Sequence, residues 1–256
     1  MVSLDITGKV AVITGAAQGL GEEMATTMAE HGADVVIFDL EAQTELMKNV
    51  ANRIANKTGR RVEGVVCDVT NESRVDECVK YVVDKYGSID ILVNNAGYIP
   101  YAKPERMPLD EWKKTLDVNL TGTFIVTKAV GNAWMIKHGG RIVNVTSMSG
   151  LRSAAGSCAY AASKAAVHNL TQSFAEAWAK YGVFANCIAP GSMLNGGMNK
   201  EQSKETRERI SAKVCQRRMG QYGDMSGVLM FLVSDACTYT QGEIITCDGG
   251  LILPAY

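Results

Sequence analysis

The chain has 256 residues, 46% of them hydrophobic and 21% charged, with a formal net charge of -1. Such proportions fit one large α/β domain with a full core, residues 1–256, and leave no electrostatic footprint for nucleic acid. No apolar run reaches the length of a membrane span, and the seven cysteines are scattered, odd in number and without a C-x-x-C, which argues against a disulfide framework and a zinc site.

The first apolar run follows Asp5 with no basic leader, so the N-terminus reads as the start of the fold and not as a signal peptide. Reduced thiols and no leader point to the cytoplasm. "KVAVITG" (9–15) has the pattern of a buried strand, and a helix follows over about 21–31. "ADVVIFD" (33–39) is the next strand, then a helix over about 41–57. "VEGVVCDV" (62–69) precedes a helix over about 72–86, and "IDILVNNAG" (89–97) is a fourth strand. "GRIVNVTS" (140–147) and "VFANCIAPG" (183–191) each follow a long helical stretch, and "GEIITCDGG" (242–250) closes a set of about seven strands. Strands that alternate with helices and read as unbroken apolar runs predict a doubly wound parallel sheet covered on both faces. Residues 191–220 break the rhythm with a polar, helical excursion after a strand end, the usual form of a lid over a site.

The end of the first strand carries "TGAAQGLG", with glycines at 15, 19 and 21. Glycine allows a tight turn and close approach to a ligand, and a helix opening at the last glycine offers unpaired N–H groups to a pyrophosphate. Asp39 lies twenty residues beyond Gly19, at the end of the second strand. A carboxylate there accepts hydrogen bonds from ribose hydroxyls and repels a 2′-phosphate, so NAD is expected over NADP. The competing reading is an N-cap for the following helix.

Within "CAYAASKAAV", Tyr160 and Lys164 sit one helical turn apart among small residues. A phenol is a weak base at neutral pH, and a nearby cation lowers its pKa, so the pair reads as a tuned proton donor and acceptor. On its own it also reads as a tyrosine packed on a lysine stem. His168, one turn beyond Lys164, reads as a packed or surface histidine.

Taken together, these motifs resemble those of the short-chain dehydrogenase/reductase family, single-domain type, from about Lys9 to Gly250. "CDVT" places Asp68 and Val69 where the family holds the adenine ring. "NNAG" matches the motif that stabilises the central sheet beside the cofactor, with Asn95, Ala96 and Gly97 toward the ligand. "DVNLTG" supplies Asn119, "IVNVTSMSG" supplies Ser147 thirteen residues before Tyr160, and "NCIAPG" and "CDGG" match the later motifs.

The resemblance implies a Rossmann-type fold and hydride transfer between a small-molecule alcohol or ketone and a nicotinamide cofactor. Tyr160 is then the general acid/base, Lys164 lowers its pKa and bonds the nicotinamide ribose, Ser147 binds the substrate oxygen, and Asn119 holds a relay water. The implied cofactor contacts are Gly15, Gln18, Gly19, Leu20 and Gly21 at the phosphates, Asp39, Leu40, Asp68 and Val69 at the adenosine, and Asn95, Ala96, Gly97, Pro190, Gly191, Ser192 and Met193 nearer the nicotinamide. No metal is implied. One departure stands out: Asn195 occupies the position of the family's usual Thr contact to the carboxamide.

Tyr98, Ile99, Tyr101, Met148, Leu151, Arg152, Met193, Leu194 and Met198 are the candidate substrate-pocket residues. Arg152 either pairs with an acidic substrate or faces solvent. The sequence looks similar to polyol and sugar-acid dehydrogenases of the family. A 3-oxoacyl-[acyl-carrier-protein] reductase, a hydroxysteroid dehydrogenase and a non-catalytic nucleotide sensor are the alternatives. The family also implies a homodimer or homotetramer. Small and apolar residues on more than one face of the helix from Tyr160 to Tyr181 agree with that.

Overall fold

The structure, a computed structural model, describes residues 3–152, 154–194 and 203–253. Its elements run β1 (Val10–Thr14), α1 (Gly19–Glu30), β2 (Asp34–Asp39), α2 (Thr44–Thr58), β3 (Val62–Val66), α3 (Glu72–Tyr86), β4 (Ile91–Asn94), α4 (Leu109–Leu116), α5 (Gly122–Val130), α6 (Ile136–His138), β5 (Gly140–Val145), α7 (Cys158–Trp178), β6 (Val183–Pro190), α8 (Lys204–Ser211), α9 (Ser226–Val233) and β7 (Ile244–Cys247). All seven strands lie in one parallel sheet, ordered β3-β2-β1-β4-β5-β6-β7. The winding reverses between β1 and β4. Beyond the carboxyl ends of those strands a crevice opens, the place where sheets of this kind bind ligands.

Alternate side chains along each strand feed two separate cores. Ile13, Val35, Ile37 and Val143 pack with Met24 and Met28 of α1, Ile54 of α2 and Leu229 of α9. Val12, Val36, Phe38 and Leu92 pack on the other face with Val79 and Val82 of α3, Val126 of α5 and Phe174 of α7. Each such side chain, fully removed from water, contributes about 1.5–3 kcal/mol before entropy is counted. Among the described residues no helix is long and apolar enough to cross a membrane.

A polar ladder crosses the second core. Asn94 Nδ2 donates to Asn144 Oδ1 at 2.8 Å and to Thr127 Oγ1 at 2.9 Å, and Asn144 Nδ2 donates to Thr171 Oγ1 at 2.8 Å. The ladder joins β4, β5, α5 and α7. Each buried amide hydrogen used here would otherwise carry a desolvation cost of about 1–3 kcal/mol, so the ladder fixes the register of the strands that carry the site.

Three boundaries differ from the sequence reading. α1 opens at Gly19, two residues earlier than expected, because Gly15 and Gly19 take left-handed φ of 65° and 64° and complete the turn before Leu20. Residues 41–43 form a 3-10 turn ahead of α2. α7 starts at Cys158 and stops at Trp178, where a 3-10 turn and the left-handed Gly182 end it. α4 and α5 are one continuous rod interrupted by a wide π turn at Asp117–Thr121.

The excursion after β6 leaves and returns at one point. Gly220 N donates to Ser192 O at 3.0 Å, and Leu194 N donates to Gly220 O at 2.8 Å. α8 lies within it, capped by Ser203 Oγ, which accepts from Thr206 N at 3.2 Å. Asn195 and Met198 lie outside the described residues.

Candidate active site

The β1–α1 turn is built without room for side chains. A Cβ on Gly15 would lie 2.7 Å from Ala96 Cα, and one on Gly21 would lie 2.6 Å from Asn95 Nδ2 and collide with Gly15 O. Asn95 explains the closeness: its Nδ2 donates to Thr14 O at 3.1 Å and to Gly15 O at 2.7 Å. Thr14 Oγ1 in turn accepts from the backbone N–H of Asn95 and Ala96, each at 3.0 Å. The glycine turn is thus held from behind by the start of the β4 loop, and its front faces the crevice. A glycine-lined helix N-terminus of this form fits a pyrophosphate.

Asp39 sits at the carboxyl end of β2. Its Oδ2 accepts from Ala17 N at 2.9 Å and its Oδ1 from Leu40 N at 2.9 Å. The side chain is therefore tied back to the glycine turn and caps no helix, which sets aside the N-cap reading. Asp68 accepts from the Thr70 N–H and hydroxyl at 2.9 and 2.7 Å.

At the other end of the crevice α7 delivers Tyr160 and Lys164. Lys164 is buried, and its Nζ donates to Val145 O at 2.8 Å while lying 5.6 Å from the Tyr160 ring centre. Ser147 lines the cleft together with Tyr160, and its Oγ accepts from Ser149 N at 3.1 Å. Burial pushes the Lys164 ammonium down to about 8. Burial also pushes the Tyr160 phenol up to about 12, with the neighbouring Ser147 hydroxyl pulling the other way. The expected lowering of the phenol by Lys164 is not found. Desolvation acts on both groups, and a lysine that sheds its proton near pH 8 carries no charge when the phenol titrates.

Asn119 lies in the π turn, fully buried. Its Oδ1 accepts from Tyr98 N at 2.7 Å, and its Nδ2 donates to Tyr98 O at 3.0 Å and to Ser163 Oγ at 2.9 Å. Both amide hydrogens are committed, so only an Oδ1 lone pair remains for the expected relay water. A Cβ on Gly97 would stand 3.5 Å from Asn119 Oδ1 and 3.7 Å from Lys164 Nζ, so both groups lie close to that one point beside Gly97.

One cleft of about 1170 Å³ connects these parts. Gly15, Gln18, Gly19, Leu20, Gly21, Asp39, Leu40, Asp68, Val69, Asn95, Ala96, Gly97, Ser147, Tyr160, Lys164, Pro190, Gly191, Ser192 and Met193 all line it. Asn119 does not; it stands behind the wall. Of the candidate pocket residues, Ile99, Tyr101, Met148 and Met193 line the cleft, whereas Tyr98, Leu151, Arg152 and Leu194 do not. The Tyr98 hydroxyl turns away to Glu111 at 2.7 Å, and Arg152 is exposed with Nη1 donating to Leu251 O at 3.4 Å. The sequence reading missed Cys67, Lys113, Lys114, Val118, Val145 and Thr146 in the lining. Cys67, Val118 and Thr146 each precede a residue picked from a motif; the two lysines belong to a surface helix and carried no signal.

The family model described as enoyl-(acyl carrier protein) reductase matches residues 15–252. A 3-oxoacyl-[acyl-carrier-protein] reductase of Synechocystis is 35% identical over 97% of this chain and 98% of its own. The chain belongs to the short-chain dehydrogenase/reductase family. An NAD-dependent glycerol dehydrogenase of Listeria innocua is also 35% identical, over 96% of this chain and 94% of its own. A gluconate 5-dehydrogenase of Burkholderia cenocepacia, solved with NADP and tartrate, superposes with a TM-score of 0.92 at 31% identity, covering 99% of each chain. This short-chain dehydrogenase/reductase is accordingly an oxidoreductase that acts on CH–OH groups of small molecules with a nicotinamide cofactor.

Proposed function

We propose that the chain is an NAD(H)-dependent dehydrogenase that interconverts a secondary alcohol and a ketone, on a polyol, sugar or sugar acid. The observation that carries this reading is the single cleft with Asp39 at one end and Ser147, Tyr160 and Lys164 at the other. The fit to the cofactor rests on the glycine turn, packed against Asn95 and Ala96 with no space for a Cβ at Gly15 or Gly21, and on a carboxylate where a 2′-phosphate would be repelled. No arginine lines the cleft among the described residues. Gly15–Gly21 would hold the pyrophosphate, Asp39 and Leu40 the adenosine ribose, Asp68 and Val69 the adenine, and Asn95, Ala96, Gly97 and Pro190–Met193 the nicotinamide half.

When bound, the cofactor supplies the hydride acceptor or donor. Tyr160 takes the proton from the alcohol oxygen in one direction and returns it in the other. Ser147 donates a hydrogen bond to that oxygen and holds the phenol beside it. Lys164, fixed by Val145 O, would bond the nicotinamide ribose hydroxyls with its remaining N–H groups. Asn119 positions the Tyr98 backbone and so the floor beneath Gly97.

Ile99, Met148 and Met193 give the substrate end an apolar wall, and Tyr101, Ser149, Ser147 and Tyr160 add hydroxyl groups to it, which suits a short polyhydroxy chain. Residues 1–256 form one domain in this reading, with 191–220 as its lid. Its setting is the cytoplasm, a reading that rests on seven dispersed cysteines. We also infer a homodimer or homotetramer: Phe124 of α5 is exposed beside Phe174 of α7, with ring centres 6.2 Å apart, and Ala165 and Ala177 on α7 are exposed. A 3-oxoacyl-[acyl-carrier-protein] reductase is the second reading, favoured by the Synechocystis relative.

The test is NADH formation from NAD⁺ with polyols, sugar acids, 3-hydroxyacyl thioesters and hydroxysteroids, repeated with NADP⁺. Turnover of a polyol or sugar acid with NAD⁺ is expected. Turnover only of a thioester with NADP⁺ would replace the proposal with the second reading.

A further inference from the structure

A carboxyl group is buried on the helix that presents the glycine turn. Glu23 lies on α1 one turn after Gly19, is 1% exposed, and its Oε1 accepts from Gly223 N at 2.6 Å. Its other oxygen, Oε2, is buried with no hydrogen-bond partner among the described residues. Burial pushes the carboxyl up, the Gly223 N–H pulls it down, and the Asp224 carboxylate adds a push upward. A buried acid with one oxygen left unpaired costs stability, and an apolar side chain of the same length would not carry that cost. Such a group calls for a reason, and its one hydrogen-bond partner supplies it.

Gly223 belongs to a tight turn. Its φ is 92°, Gln221 N donates to Asp224 Oδ2 at 2.7 Å, and Arg218 Nη2 donates to Asp224 Oδ1 at 3.0 Å. The turn follows directly on Gly220, which is bridged to Met193: Gly220 N donates to Ser192 O, Leu194 N donates to Gly220 O, and a Cβ on Gly220 would collide with Met193 Sδ. Ser192 and Met193 line the cleft together with Gly19, Leu20 and Gly21. A short continuous path therefore leads from the phosphate-turn helix, through Glu23 and Gly223, to the cleft wall at Ser192 and Met193. One turn further along α1, Thr27 Oγ1 and Ser226 Oγ lie 2.9 Å apart and tie the helix to the start of α9. Of the two ties, that of Glu23 lies nearer the glycine turn.

We propose that Glu23 is a positioning residue for the cofactor: through Gly223 it holds Ser192 and Met193 in place relative to the glycine turn, and so aligns the nicotinamide half of the site with the phosphate half. That Ser192 and Met193 border the nicotinamide rests on the function proposed above. Glu23 does not line the cleft, so it acts through the position of the backbone. A ligand that spans both ends of the cleft must feel its loss. A ligand that fills only the adenosine and phosphate end must not.

The experiment compares NADH with ADP-ribose, which carries the adenosine and both phosphates but no nicotinamide. Kd values for the two are measured by isothermal titration on the full parent chain and on E23M, E23A and E23Q. E23M keeps the length of the side chain and drops the acceptor. Its NADH Kd should rise at least about tenfold while its ADP-ribose Kd stays within about threefold of the parent. E23A removes the acceptor without demanding space for a new side chain, and should show the same split if methionine prevents folding. E23Q keeps an oxygen for Gly223 N and should bind NADH within about threefold of the parent. ADP-ribose binding reports that each variant is folded. Equal losses for the two ligands, no loss of NADH affinity in E23M and E23A, or an E23Q as weak as E23M each overturn the proposal. A parent chain that binds NADH no more tightly than ADP-ribose overturns instead the nicotinamide assignment made above, and the role of Glu23 falls with it.

Discussion

Lys164 hydrogen-bonds the carbonyl of Val145, two residues ahead of Ser147, at 2.8 Å. The bond ties the helix that delivers Tyr160 to the strand that delivers Ser147. It also holds an amine inside the protein at a cost, since burial drops its pKa from 10.5 to about 8. Below pH 8 the folded chain carries a buried charge that the unfolded chain keeps in water.

The sign of the resulting pH dependence is fixed. Between about 8 and 10.5 the unfolded chain binds the lysine proton and the folded chain does not, so this group adds stability as pH rises through that window. Lys164→Met removes the term. The variant should lose at least about 100-fold in turnover, the lower range for a lost acid–base group. Its Tm advantage over the parent, or its deficit from leaving Val145 O unpaired, should shift against the variant from pH 8 to pH 10.5. A difference in Tm that stays flat across that range would show that Lys164 is not buried as described.

Tyr160→Phe removes the phenol and leaves the ring. Turnover should fall by about 1,000-fold or more, within reach of a general acid–base contribution, while the NADH Kd stays within about threefold. In the parent enzyme alcohol oxidation should accelerate with rising pH and ketone reduction should slow, because the phenol titrates from a value raised to about 12. A cationic cofactor beside it brings the apparent value below that. Retained turnover in the phenylalanine variant would transfer the proton chemistry to another group.

The sequence made most of this legible, and for particular reasons. β1, β2, β4, β5 and β6 are buried on both faces, so their apolar runs stand out from any background. The glycine turn, Asp39, Ser147, Tyr160 and Lys164 each sit at a strand end or on one helix turn, where spacing alone fixes the neighbourhood. Lys113 and Lys114 were missed because they reach the cleft from a helix whose orientation depends on the π turn at Asp117–Thr121. Tyr98 was misplaced for a similar reason: its backbone is captured by Asn119 and its hydroxyl by Glu111, which no local pattern announces. The direction of the Tyr160 shift was missed because a sequence shows which charge is near but not how much water is excluded.

Asp39→Ala tests cofactor choice. The carboxylate is held by Ala17 N and Leu40 N, so its removal frees two backbone donors at the ribose end of the cleft. The expected outcome is a loss of about tenfold in kcat/KM for NAD⁺, the size of one charge-assisted hydrogen bond, with a gain for NADP⁺. An unchanged NAD⁺/NADP⁺ ratio would remove Asp39 from that role.

Gly21→Ala tests the phosphate turn itself. Its added methyl would stand 2.6 Å from Asn95 Nδ2 and 2.7 Å from Ala16 Cα, contacts that backbone movement alone can relieve. Because Asn95 clamps the turn through Thr14 O and Gly15 O, that movement opens the cradle. NADH affinity should drop by at least about 30-fold, the ratio that corresponds to roughly 2 kcal/mol of overpacking strain. Gly59→Ala is the control: Gly59 ends α2 with φ of 70° and nothing within 4 Å of an added Cβ. It should cost about 1 kcal/mol of stability from the left-handed backbone alone and leave NADH affinity unchanged. Isothermal titration of both variants separates the two cases. Equal affinities for NADH in the Gly21 and Gly59 variants would mean that the turn does not carry the cofactor.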